Sequence, residues 1–183
     1  MSHETSKSMR RRMRDPMFAQ RYFVGRAIDI GSGSDPLSRQ LGYWPLLESV
    51  DEWDLAEGDA QELPGVANDT YDLVISSHCL EHVREADVTL CRWWEVLKPG
   101  GHMVVTVPDW DMYEHRQWPS RFNDDHKSTF DFRRTTELVH MLPCEAIKVE
   151  RVVEHFDPSL PKDQDQTQGL AECCIELIVR KPE

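Results

Sequence analysis

A chain of 183 residues with 33 acidic and 21 basic side chains carries a formal net charge of −12, and 39% of it is hydrophobic. That is room for one buried core but not two. No apolar run reaches the length of a membrane span, and the acidic balance excludes a general binder of nucleic-acid phosphates. The five cysteines (Cys79, Cys91, Cys144, Cys173, Cys174) form no Cys-x-x-Cys pair and no ligand-like grouping with histidine, so no metal site is expected. Their odd number, with no apolar leader, suggests free thiols in a reducing compartment and hence a cytoplasmic, soluble protein.

In chain order, residues 1 to about 15 read as a polar arm with a basic run, Lys7, Arg10, Arg11, Arg12 and Arg14. A solvated arm is the expectation, with a tether to nucleic acid or an acidic surface as its rival. Met17 to Phe23 reads as a short helix or a covering loop. Residues 1–23 are therefore set apart from a single domain spanning 24–183. Val24 to Ile30 reads as a first buried strand, and Gly31-Ser32-Gly33 follows as a turn. Glycines there let the backbone come close to a ligand at the carboxyl end of the strand.

Leu46, Leu47 and Val50 suggest a second strand ending at Asp51, or at Asp54 if it runs on through Trp53. Asp51 lies 20 residues beyond Gly31, the separation at which a βαβ unit delivers a carboxylate to a ribose diol. Only eight residues separate Asp51 from Asp59 in the Gly58-Asp59-Ala60 turn, so no crossover helix fits between them. Tyr71 to Ser77 reads as a buried strand. Apolar residues from Val83 to Leu97 repeat at helical spacing, with Trp93 and Trp94 as packing residues, and Lys98-Pro99-Gly100-Gly101 stops that helix. His102 to Val107 reads as a strand. Residues 109–131 form a long aromatic loop suited to a lid or a binding surface, in which Trp110, Trp118 and Phe130 wall a substrate or anchor the loop. A helix capped by Thr135 or Thr136, and strands near 146–155 and 171–180, complete the chain.

The pieces Asp29-x-Gly31-x-Gly33, the acid after the second strand, Gly58-Asp59-Ala60-x-x-Leu63-Pro64, Tyr71-Asp72-Leu73-Val74 leading to Leu80-Glu81-His82, and Leu97-Lys98-Pro99-Gly100-Gly101 occur in one order. In sum, over Ala27 to Pro108, they resemble a class I S-adenosylmethionine-dependent methyltransferase of the methyltransferase domain 11/23 kind. Pro119-Ser120-Arg121-Phe122-Asn123 and Asp125-His126-Lys127 look like a small bacterial or phage-type subgroup. The resemblance implies an α/β fold: a Rossmann-like, doubly wound, mostly parallel sheet, trimmed between strands 2 and 3, with an antiparallel C-terminal edge hairpin. It implies S-adenosyl-L-methionine as cofactor. Gly31, Ser32 and Gly33 would lie beneath its methionine portion and Asp29 would hold its ammonium. Asp51, or else Asp54, would take the ribose. Asp59 and Ala60 would meet the adenine edge, and Ser77 and His78 would approach the sulfonium methyl.

Methyl transfer to a hydroxyl needs a proton acceptor, and histidine suits neutral pH. The candidates are His126 on the long loop and His78 at the strand tip. His82 reads as a local support. The function expected is O- or N-methylation of a small-molecule or sugar-like acceptor. The alternative is a non-catalytic S-adenosylmethionine-binding module or a subunit that stabilises a partner. NAD-linked oxidoreduction is disfavoured because no third glycine opens the following helix. The sequence leaves oligomeric state open.

Overall fold

The computed structural model describes residues 3–183; Met1 and Ser2, the start of the expected arm, lie outside the described residues. Six strands, β1 (Gly25–Ile30), β2 (Leu47–Trp53), β3 (Tyr71–Ser77), β4 (Leu97–Pro108), β5 (Glu145–Glu154) and β6 (Glu172–Arg180), lie in the order β2-β1-β3-β4-β6-β5. The first four run parallel, while β6 pairs antiparallel with both β4 and β5. This is the expected mostly parallel sheet with an antiparallel C-terminal hairpin.

Both faces of the sheet are covered, and the period-2 alternation of each strand decides which side chain meets which layer. Ile28, Ile30, Val74, Val105, Ile175 and Leu177 pack with Leu90 and Trp93 of helix α3 (Ala86–Val96) and with Leu138 and Val139 of helix α4 (Phe132–His140). Ala27, Leu73, Ile75, Val104 and Ile178 face the opposite layer, with Met9 of helix α1 (Glu4–Arg12) and Phe18 of helix α2 (Pro16–Tyr22). Helix α4 is capped by the Asp131 side chain on the Arg134 N–H rather than by a threonine.

The basic run is not a solvated arm. Helix α1 lies against the sheet, with Met9 fully buried and Arg12 at 1% exposure. Parity along β6 turns Glu176 toward this layer, and both Arg11 and Arg12 close on its carboxylate, at 2.8 and 2.6 Å. Lys7 reaches Glu4 and the carbonyls of Thr167 and Ala171, and Arg14 pairs with Glu154. A short cationic stretch opposite a buried acid folds down to neutralise it; spacing along the chain gave no hint of that acid.

The crossover from β2 to β3 has no helix of its own. Its backbone is satisfied from α3: Arg92 donates to the carbonyls of Glu62 and Val66, and the Trp93 Nε1–H donates to the Ala60 carbonyl at 2.8 Å. Between β3 and α3 the chain makes a 3-10 turn, Leu80–His82. Among the described residues no helix is long and apolar enough to cross a membrane.

Candidate functional site

A crevice of about 580 Å³ opens at the carboxyl ends of β1, β2 and β3. Gly31 forms its floor; Asp54, Leu55, Asp59 and Ala60 form one wall, and His78, His82 and Val83 the other. Gly31 sits at φ +77°, and a Cβ there would overlap the Cys79 side chain, so the turn requires glycine. Leu55, at 93% exposure, is an apolar side chain held out at the mouth, opposite the buried Val83.

The crevice gathers Gly31, Asp59, Ala60 and His78 of the expected residues, and also Asp54, but not Asp51. Strand β2 continues through Trp53, which moves its tip to Asp54. Asp51 pairs in register with Ile28, further back in the strand, where it binds Arg26 at 2.6 Å and accepts the Tyr71 hydroxyl at 2.8 Å. Asp29 shares the face of Ala27 and lies beneath the crevice at 1% exposure, accepting the Leu37 N–H at 2.8 Å. Burial pushes its carboxyl up to about 7, with the Leu37 hydrogen bond working against the rise. Ser32 and Ser77 are buried behind the lining, the latter within 3.3 Å of the Thr106 hydroxyl. Gly33, at φ +52°, shapes the turn without lining the crevice.

Of the two histidines, His78 lines the crevice in a left-handed conformation, φ +54°. Burial alone would lower its pKa. The hydrogen bonds to Cys174 and Glu81 and the charge of Glu4 outweigh burial and raise it well above the ordinary imidazole range. The raised value favours the protonated imidazole, in which both ring nitrogens donate. His126 lies deeper, with Nδ1 2.6 Å from Glu114 and Nε2 4.0 Å from Glu81. The sequence reading passed over Glu81, whose side chain is only 1% exposed and stands among His78, His82 and His126. The available signal was a carboxylate flanked by two histidines in one short turn.

A second depression, about 560 Å³, adjoins the crevice through Arg84 and Lys127 and is walled by Trp110, Trp118 and Arg134. Trp118 is half exposed there. Phe130, the third aromatic candidate, is fully buried in the core with the Arg134 guanidinium 5.1 Å from its ring.

Comparison with known proteins agrees with this fold. Residues 3–149 match a family model described as a methyltransferase domain. The chain is 34% identical over 79 residues to a trans-aconitate 2-methyltransferase of Deinococcus radiodurans, an alignment covering 43% of this chain and 29% of that relative's length. In fold it is similar to an S-adenosylmethionine-dependent methyltransferase from Archaeoglobus fulgidus, with TM-score 0.71, 18% identity and coverage of 98% and 95% of the two chains. A Haemonchus contortus phosphoethanolamine N-methyltransferase 2, in complex with S-adenosyl-L-methionine, superposes with TM-score 0.62 and 17% identity over 87% of this chain and 49% of that one.

The chain belongs to the methyltransferase-domain family, and with it comes S-adenosylmethionine as the cofactor. The residues present fit that cofactor: two carboxylates that accept hydroxyl or amino hydrogens, an apolar pair at the mouth, and a glycine floor enclose a volume usual for cofactor sites.

Proposed function

We propose that this chain transfers a methyl group from S-adenosylmethionine to a small-molecule or sugar-like acceptor, by O- or N-methylation. The observation that carries the reading is the convergence of Gly31, from the turn after β1, and of Asp54 and Asp59, from the loop after β2, on one crevice at the carboxyl edge of the parallel sheet. When bound, the cofactor supplies the electrophilic methyl group.

The protein's own work is positioning. Asp54 is assigned the ribose hydroxyls, by charge-assisted hydrogen bonds at the tip of β2. Asp59, held by Arg84 at 2.9 Å, and the Ala60 backbone take the adenine edge. Leu55 and Val83 shield the base from water. Asp29 acts from below: by accepting the Leu37 N–H it fixes the descent of the chain after the glycine turn. The acceptor is assigned to the adjoining depression, where Trp110 and Trp118 offer flat apolar faces and the cations Arg84, Lys127 and Arg134 outnumber the carboxylates Glu85 and Asp87. The trans-aconitate methyltransferase relative makes carboxylate acceptors the first class to try.

Calorimetry with S-adenosylhomocysteine tests the binding half, with one saturable site per chain expected. Release of S-adenosylhomocysteine across a panel of tricarboxylates, sugars and amines tests turnover. Absence of saturable cofactor binding would refute the proposal. Binding without turnover across the whole panel would leave the chain a binding module.

A further inference from the structure

Behind the crevice wall, Glu81, His82 and His126 bring one oxygen and two nitrogens within 4.8 Å of one another. The Nε2 atoms of His82 and His126 stand 3.8 and 4.0 Å from Glu81 Oε1. Ligands at about 2.0–2.2 Å from a metal lie roughly 2.8–3.6 Å apart at octahedral to tetrahedral angles, so closure on an ion asks the three side chains to draw in by up to about an ångström.

Each imidazole is backed by a carboxylate on its other nitrogen: His82 Nδ1 is 3.1 Å from Asp125, and His126 Nδ1 is 2.6 Å from Glu114. With Nδ1–H donating to the carboxylate, the Nε2 lone pair is turned toward Glu81, the arrangement that orients histidine ligands at metal centres. Glu81 Oε2 is buried and finds no hydrogen-bond partner among the described residues. The two parts of the cluster are also pinned together through the backbone, since the N–H groups of Lys127 and Ser128 donate to the Glu81 carbonyl at 2.7 and 3.2 Å. With His78 no nearer than 3.5 Å to Oε1, the buried Oε2 stays unsatisfied, and an unsatisfied buried carboxylate oxygen beside two backed imidazoles is costly.

We propose that Glu81, His82 and His126 form a binding site for a divalent first-row transition-metal ion. Two imidazoles and one carboxylate favour ions such as Zn²⁺, Co²⁺ or Mn²⁺ over Mg²⁺, which prefers an all-oxygen, largely hydrated shell. Three protein ligands leave open positions, and His82 lines the crevice, which gives those positions access to an acceptor. For the chemistry, and only there, the inference rests on the methyl-transfer reading. An acceptor hydroxyl at the ion would release its proton to water more readily. The O–CH₃ bond would then form as the S–CH₃ bond breaks, with the electron pair remaining on sulfur. The competing arrangement, in which the His78 cation alone balances Glu81 from 3.5 Å, needs no metal.

The test uses the full-length untagged chain, stripped with a chelator, titrated with Co²⁺ and with Zn²⁺ by calorimetry and visible absorption. The expected result is one ion per chain. Glu81→Gln and His126→Ala should weaken binding at least 100-fold, and the outer Asp125→Asn by roughly 10–100-fold. The urea-denaturation midpoint, measured on every variant, reports folding, and S-adenosylhomocysteine affinity is measured on the parent chain. Because Asp125 is exposed, its variant keeps the test decisive if Glu81→Gln fails to fold. A chain that binds S-adenosylhomocysteine but neither Co²⁺ nor Zn²⁺, or variants that bind them as the parent does, would overturn the site. Metal binding without S-adenosylhomocysteine binding would support the site and count against the methyl-transfer reading instead.

Discussion

Glu176 on β6 is the anchor on which helix α1 depends, and replacing it with glutamine isolates that dependence. Its side chain is fully buried and meets the equally buried Arg12 at 2.6 Å, Arg11 at 2.8 Å and, further off, Lys148 at 3.7 Å. Burial by itself would push the Glu176 carboxyl up; the charges and hydrogen bonds of Arg12 and Arg11 prevail and hold it down at about 2. From the ordinary value of 4.5 that fall, at about 1.4 kcal/mol per pH unit, corresponds to roughly 3 kcal/mol of folding stability. A depressed carboxylate contributes above its unfolded pKa and loses the contribution as pH falls through the folded one, so the loss belongs between about pH 4.5 and 2. Breaking a buried pair from one side is known to cost about 3–5 kcal/mol, the same size. Glu176→Gln should therefore lower urea-derived stability at pH 7 by about 3 kcal/mol and the melting temperature by roughly 6–12 °C. It should also flatten the acid limb of the stability profile and speed trypsin cleavage after Arg10 to Arg14. Replacing Arg11, Arg12 and Glu176 together by apolar residues of similar volume should recover most of the loss, because the cost lies in the stranded cations. If Glu176→Gln stays within about 0.5 kcal/mol of the parent and keeps its acid limb, the ion cluster does not hold the helix.

Four further substitutions probe the crevice and its surroundings. Asp54→Asn should weaken S-adenosylhomocysteine binding roughly 10- to 150-fold, the worth of charged hydrogen bonds to a diol, while Asp51→Asn should leave affinity within about twofold; calorimetry giving the reverse order would restore Asp51. Burial raises the Asp29 carboxyl to about 7, so the folded state binds the extra proton and stability falls as pH rises from about 4 to 7. Asp29→Asn should remove up to about 4 kcal/mol of that decline, and denaturation curves at pH 5 and pH 8 that differ equally for parent and variant would refute it. Gly31→Ala combines φ +77° with overlap on Cys79 and should cost at least about 1–3 kcal/mol in urea denaturation along with cofactor affinity; a variant as stable as the parent would mean that the turn does not need glycine there.

How much was legible in the sequence followed from how local each signal is. Strands β1, β3 and β4 announced themselves because burial on both faces demands continuous apolar runs, and the glycine turn because few other residues adopt its backbone. The strand end read at Asp51 falls three residues short of Asp54, the alternative the sequence left open: β2 carries Glu52 and Trp53 beyond it, and only pairing with β1, up to Ile30 opposite Trp53, shows where the strand stops. The basic run misled because its partner, Glu176, lies more than 160 residues away along the chain. Glu81 escaped because a metal or proton role needs His126, contributed by a loop whose register against Glu81 is set by backbone hydrogen bonds that leave no trace in composition.

Omission of a crossover helix after β2 has a consequence for the whole site. A helix there would supply its own hydrogen bonds and hold the adenine-side turn independently. Here that turn is fastened to α3 instead, through Trp93 to the Ala60 carbonyl, Arg92 to the carbonyls of Glu62 and Val66, and Gln61 to the Glu85 N–H at 3.1 Å. Just before α3 lies the turn bearing Glu81 and His82, with Arg84 reaching Asp59 from the same stretch. The Gly58-Asp59-Ala60 turn, Glu81 and His82 therefore all hang on one segment, residues 78–93, whose position is fixed by the full burial of Trp93, Leu80 and Leu90 in the core. A shortened chain can keep a complete crevice in this way, because one well-packed helix substitutes for two separately supported loops.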